Sequence, residues 1–245
     1  MMHQIHMPLR RLSALARRLR RDTSGVALLE FAFSLPIVAG IGCYAVELSN
    51  FALVSLKVNQ IALNLADNAS RVGASTNLAT TQIREVDLND VLQAARYQGK
   101  GISLTTNGRV IVSSLENIQQ SYDKTGPVQR IHWQRCVGLK SGTGYDSAYG
   151  TTTAAAGTTS AQANAGTAAA SGMGDAGYSV NAPNGAGVMF VEVNYLYKPL
   201  ISGYFLGDKR IHFTASFIVR DNRDFTQIFN PSPAATRATC DTYTS

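Results

Sequence analysis

The chain has 245 residues, 45% hydrophobic and 16% charged, with three cysteines and a net charge of +6. The apolar content excludes a fully disordered chain, the three cysteines exclude a disulfide-dense mini-fold, and the charged fraction is below the ~25% usual for soluble domains. The basic balance would suit nucleic acid only if it were spread over a folded face. It is not. Residues 1–25 carry Arg10, Arg11, Arg17, Arg18, Arg20 and Arg21 against Asp22 alone, a net of +5, which leaves +1 for the other 220 residues.

Directly after this basic leader, residues 26–56 contain only two charges, Glu30 and Glu47, around the uncharged run FAFSLPIVAGIGCYAV. A helix from Phe31 to Phe51 would be about 31 Å long, close to the hydrocarbon thickness of a bilayer. The positive-inside bias keeps the arginines in the cytoplasm and sends the rest of the chain across. A cleaved secretory signal is a competing reading, but ELSNFALVS has no clean small-x-small site. Glu30 stands out, because a carboxylate at mid-bilayer costs about 2.5–3.5 kcal/mol on insertion scales. Glu47 is expected near the outer interface, where solvation is easier. Pro36 removes one helical hydrogen bond and predicts a kink.

Gly25, the G-V-A-L-L-E-F that begins there, the Glu30-Phe31 pair, the A-F-S-L-P that includes Leu35-Pro36, and Glu47 together resemble the TadE-like minor pilins of the tight-adherence (Flp, type IV) pilus system. The resemblance covers about Ser24 to Ala66; IVRDNRDFTQIFNP near the carboxyl terminus is similar less specifically. It implies cleavage between Gly25 and Val26 by an aspartic prepilin peptidase. It also implies that Glu30 pairs with the Val26 amine of a neighbouring subunit. Glu30, Phe31 and Pro36 would then be the helix-assembly residues. Implied partners are the peptidase, other pilins, inner-membrane assembly proteins and the lipid bilayer. The implied location is the bacterial inner membrane, single-pass, with a cytoplasmic amino terminus and a periplasmic head. Entry into the extracellular pilus stays open. A bitopic periplasmic binding or scaffold protein that keeps its leader, and a secretion-system pseudopilin, are the alternatives.

Beyond the span, Val58, Ile61, Ala62, Leu65, Ala69 and Val72 recur at helical spacing, and Gly73 suits the helix end. Residues 57–140 thus start as a helix extension and become the first part of a head. Residues 84–98 predict a second helix with Asp87 as N-cap. ISLTT and RVIVSS around Asn107-Gly108 predict a β-hairpin. RIHWQRCV predicts a strand with Ile131, Trp133 and Arg135 on one face. Residues 141–187 hold 10 Gly, 13 Ala, 5 Ser and 7 Thr, a composition expected to bury little and to form a long loop. Two more strands are expected in residues 188–245, one from Gly187 to Lys198 and one from Ile211 to Arg220. The fold class is therefore α+β: a long amino-terminal transmembrane helix running into a pilin-like head with an antiparallel sheet.

Cys136 and Cys240 both fall outside the membrane in this topology, so one disulfide between them is expected in an oxidising periplasm. Enzymatic chemistry is not expected: His132 and His212 lie in predicted strands, and no nucleophile elbow, paired-cysteine, zinc-protease or phosphate-loop motif occurs. No metal and no cofactor is expected.

Overall fold

A computed structural model describes residues 17, 18, 20, 23–73 and 80–245. Most of the expected leader, residues 1–25, lies outside these. The chain divides into two compact units, Met1–Ser49 and Asn50–Ser245.

Helix α1 spans Ser24–Arg71, an unbroken 48-residue helix with Pro36 inside it. In the first unit it is the apolar stretch, and it is the one helix among the described residues long and apolar enough to cross a membrane. Its large side chains face outward: Leu28, Phe33, Val38 and Ile41 are each at least 65% exposed. Glu47, by contrast, is fully buried and is not the solvated carboxylate expected of it.

The second unit is α+β. After residues 50–71 of α1 come α2 (Glu85–Gly99), a 3-10 turn (Lys100–Ile102) and a one-turn helix α3 (Leu104–Asn107). The strands are β1 (Gly108–Ile118), β2 (Val128–Val137), β3 (Thr167–Ala168), β4 (Gly187–Leu196) and β5 (Arg210–Ile218), with the short helix α4 (Gly203–Leu206) before β5. They form one sheet in the order β3-β2-β1-β4-β5, and every pairing is antiparallel. The stripe Val58, Ile61, Ala62, Leu65 and Ala69 is fully buried, with Ala66 beside it. With Leu88, Val91, Leu92 and Ala95 of α2 it covers one sheet face at Val110, Val112, Trp133, Val191, Val193 and Ile211. Gly73, at φ +155, ends the helix where a Cβ would lie 2.5 Å from Thr81 Cγ2.

Three local expectations are corrected. The hairpin at Asn107-Gly108 does not form. Ser103 turns to φ 51 and Leu104–Asn107 is helical. Leu104 is buried against Gly99, so core burial overrides the turn preference of Asn-Gly. Second, Asp87 is not the N-cap of α2: Arg84 is, and the Asp87 carboxylate accepts its backbone N–H at 3.0 Å. Third, Ile131 and Trp133 do not share a face. Ser114 pairs with Trp133 and Leu115 with Ile131, leaving His132 as an inserted residue. That bulge turns Ile131 to the opposite core, with Leu115, Met173, Val188 and Phe190.

Residues 141–187 form the expected long loop and bury few side chains, but the loop is tied down: it folds over the second sheet face, where Ala156 and Met173 are fully buried. Beside the apolar patch of Leu115, Ile131, Val188 and Phe190, the sheet face beneath the loop carries polar side chains that hydrogen-bond the segment's backbone. Gln134 donates to the Gly150 carbonyl at 3.0 Å and accepts from the Thr152 N–H at 3.0 Å. Glu192 accepts from the Ala148 N–H at 3.1 Å, and Asn194 donates to the Tyr145 carbonyl at 3.0 Å. Gln129 brackets the far end, donating to Ala169 at 2.7 Å and accepting from Ala182 at 2.9 Å. Small residues bring their backbone close enough to be bonded this way, which offsets the desolvation of the amides beneath.

Candidate functional site: an exposed apolar helix with one carboxylate

The expected cleavage pair, Gly25 and Val26, lies in the first turn of α1, and the Val26 N–H donates to the Thr23 carbonyl at 3.1 Å. Both residues are exposed, and nothing lies within 4 Å of a Cβ built on Gly25. The first helical N–H groups have no partner within the helix, so this end opens at lower cost than the middle. Glu30 follows Val26 by four residues, which puts both on one helix face. It is exposed, as are Phe31 and Pro36. Pro36 has no N–H for the Ala32 carbonyl, and Ser34 Oγ bonds the Phe31 carbonyl at 3.2 Å. The result is an exposed apolar cylinder bearing a single carboxylate in its first turns.

The structure joins Cys136 and Cys240 in a disulfide with Cα atoms 4.8 Å apart and a sequence separation of 104. Cys43 is a free thiol. The carboxyl-terminal tail is held to the sheet around this link. Cys136 N–H donates to Ala238 at 2.8 Å and Gly138 N–H to Thr244 at 2.7 Å. Arg109, almost fully buried, donates to the carbonyls of Gly138 and Thr242 at 2.9 Å each. Burial pushes the Arg109 guanidinium below its ordinary value, partly offset by Tyr243, Asp146 and Asp241.

The ionisable groups of the head tie its layers together. Arg135 on β2 forms a bidentate pair with Glu85 at the start of α2, both buried. His132 Nδ1 lies 2.8 Å from Glu116 Oε2, also buried. On the other face, His212 Nδ1 is 2.7 Å from Asn194 Oδ1, and its Nε2 is 3.1 Å from the Tyr149 hydroxyl, which donates to Asp175 at 2.8 Å. Burial and Arg210 hold the His212 imidazole below its usual value, while Asp175 opposes them. Among the described residues, no group of three His, Cys, Asp or Glu side chains is placed to hold a metal ion.

Arg223 was missed by sequence reasoning, which gives it no role within IVRDNRDFTQIFNP. It is buried, and its guanidinium donates to the carbonyls of Ala69 at 3.2 Å, Ser70 at 3.0 Å and Val72 at 2.8 Å. No local signal separates it from Arg220, which is exposed three residues earlier. No family model, curated protein or solved structure matches this chain.

Proposed function

We propose that this chain is a membrane-anchored minor pilin or pseudopilin of the TadE-like kind, working in assembly of a tight-adherence pilus. The observation that carries the reading is Glu30: one carboxylate on an exposed apolar helix, one turn after Val26, preceded by Gly25 and an arginine-rich leader. In this reading the arginines hold the amino terminus in the cytoplasm, and the apolar part of α1 crosses the inner membrane. The α+β unit stands in the periplasm, where its disulfide is chemically at home.

The chain is itself a substrate. Hydrolysis of the Gly25–Val26 amide by prepilin peptidase releases the leader and leaves a new amine on Val26. Glycine has no side chain to keep the peptidase's acid pair away from the carbonyl, and the helix opens most readily at this end. The new ammonium and Glu30 then have opposite charges. In a bundle of such helices, Glu30 of one subunit pairs with the Val26 ammonium of the next. This offsets the cost of a carboxylate in lipid and sets the axial register between subunits. The head acts as a structural part rather than as a catalyst.

The test is the mature amino terminus, read by mass spectrometry in cells that make the pilus. The expected terminus is Val26, and Gly25→Arg is expected to leave the leader attached. A wild-type chain that still begins at Met1 would overturn the proposal.

A further inference from the structure

The two edges of the sheet are finished differently. On the β2 side, β3 pairs with Arg130 and Ile131, and the Cys136 N–H donates to the Ala238 carbonyl of the carboxyl-terminal tail at 2.8 Å. On the β5 side the backbone is bare. The Tyr197 N–H donates to the Lys209 carbonyl at 2.8 Å and the Val219 N–H to the Gly187 carbonyl at 2.9 Å, with an unbroken register between them. Bonded and non-bonded pairs alternate in an antiparallel ladder, so the odd-numbered residues of β5 are the ones that bond β4. Arg210, His212, Thr214, Ser216 and Ile218 therefore turn their backbone N–H and C=O outward, and among the described residues no hydrogen bond reaches those groups.

Proteins usually blunt such an edge with lysine, proline or a bulge. RIHFTASFI has neither lysine nor proline, and its pairing with β4 carries no bulge. Its polar side chains are drawn back onto their own chain. Arg210 Nη1 donates to the Gly144 carbonyl and, at 3.3 Å, to Asn194 Oδ1, and His212 Nδ1 is 2.7 Å from the same oxygen. Phe213 and Phe217 are only half-buried against the helix-side core, and Ile218 is exposed.

We infer that a second copy of this chain occupies that edge, β5 against β5, antiparallel about a two-fold axis at Thr214. An outward ladder must pair even residues with even ones, and a centre at Thr214 brings all 9 residues of the strand into register. It sets Thr214 opposite Thr214, His212 opposite Ser216 and Arg210 opposite Ile218 as hydrogen-bonded pairs. In the closer positions between them, Ile211 faces Phe217 and Phe213 faces Ala215. Just past the strand ends, exposed Asp208 falls opposite exposed Arg220, and Lys209 lies diagonal to Asp221, so both ends bring opposite charges together. A centre at His212 shortens the ladder and pairs the two imidazoles, whereas a parallel pairing sets Arg210 beside Arg210 and Asp208 beside Asp208. The inference concerns the Asn50–Ser245 unit alone and stands apart from the proposed function.

The test uses the full chain in detergent micelles, with mass read by light scattering after size exclusion, and a dimer is expected. Thr214→Pro removes an outward N–H without touching the β4 ladder, and Thr214→Lys sets like charges opposite each other. Each is expected to weaken the dimer by roughly tenfold or more while emission of the buried Trp133 stays native. With the free thiol removed by Cys43→Ser, a short bismaleimide is expected to join Thr214→Cys to its counterpart. Arg210→Cys is expected to stay unjoined, because the register holds its two copies about 27 Å apart. Tyr178→Cys, 85% exposed and away from the edge, should stay unjoined as well. A monomeric chain overturns the inference. So does a dimer that survives both Thr214 substitutions and yields no Thr214→Cys cross-link, which assigns association to another surface. Cross-linking of Arg210→Cys alongside Thr214→Cys replaces the antiparallel register with a parallel one and also overturns it. If Thr214→Pro fails to fold, Thr214→Lys and the cross-link pattern decide.

Discussion

Arg223 reaches across the fold to the Val72 carbonyl, 2.8 Å from its Nη2, and closes the end of helix α1 from 151 residues further along the chain. The same guanidinium takes the Ala69 and Ser70 carbonyls, so one buried cation satisfies three oxygens of the last turn. A positive charge there also complements the negative end of the helix dipole. Burial pushes the Arg223 guanidinium below its ordinary value, and Asp221 partly restores it.

Replacing Arg223 leaves those carbonyls buried without donors. Arg223→Met is expected to destabilise the α+β unit by about 2–4 kcal/mol, the scale of breaking a buried charged hydrogen-bond network. Arg223→Lys should recover only part of this, since an ammonium has no planar fork to span three acceptors. Urea unfolding of the full chain in detergent, followed by Trp133 emission, measures both; an unchanged midpoint for Arg223→Met would refute the capping role.

His212 makes the contact between β5 and residues 141–187 sensitive to acid. Burial and Arg210 lower its folded value, so the unfolded chain binds the proton more readily. Its contribution is present above the unfolded value of about 6.5 and is lost as pH falls through 6.5 toward the depressed folded value. Glu192, which burial pushes up against the pull of Ser147 and Ala148, works in the other direction: the folded state gains on the unfolded one as Glu192 protonates. Subtracting His212→Gln from wild type isolates the imidazole, because Glu192 is common to both. The expected outcome is a steeper loss of thermal stability for wild type than for His212→Gln between pH 7 and 5.

Gly166 tests whether the low-complexity segment is held in place. Its φ is +81, and a Cβ there would lie 2.1 Å from the Ile131 carbonyl oxygen and 2.6 Å from that of His132. Gly166→Ala is expected to cost about 1–3 kcal/mol in strain, concentrated at the β2–β3 edge. Faster limited proteolysis within residues 141–187, with the rest of the chain still protected, is the expected readout.

Glu30 separates processing from assembly. On the proposed function, Glu30→Ala is cleaved after Gly25 as in wild type, because the carboxylate lies outside the scissile pair. Piliation should nonetheless fall, because the partner of the Val26 ammonium is gone. Normal pilus counts in the Glu30→Ala strain would remove the pairing role.

Residues read from local periodicity are the ones the sequence placed well. The Val58 to Ala69 stripe and the second helix each express a repeat that a single element must bury on one side. Asn107-Gly108 was misread because its turn preference is small beside the burial of Leu104. Ile131 was misread because a one-residue bulge at His132 leaves no trace in the alternation of RIHWQRCV.

By itself, the sequence determined the basic amino-terminal segment, the apolar helix with Glu30, the α+β class and the two cysteines that lie beyond that helix. These follow from charge position, helix length and repeat period, all of which act within a few turns of chain. Only the tertiary structure decided that residues 141–187 are packed, because their order comes from Gln129, Gln134, Glu192 and Asn194 on strands elsewhere in the chain. It also decided that Arg223 closes α1 and that the β4–β5 loop lies beside Asn50. A hydrogen bond between residues some 150 positions apart depends on where the sheet carries each partner, and local composition holds no record of that.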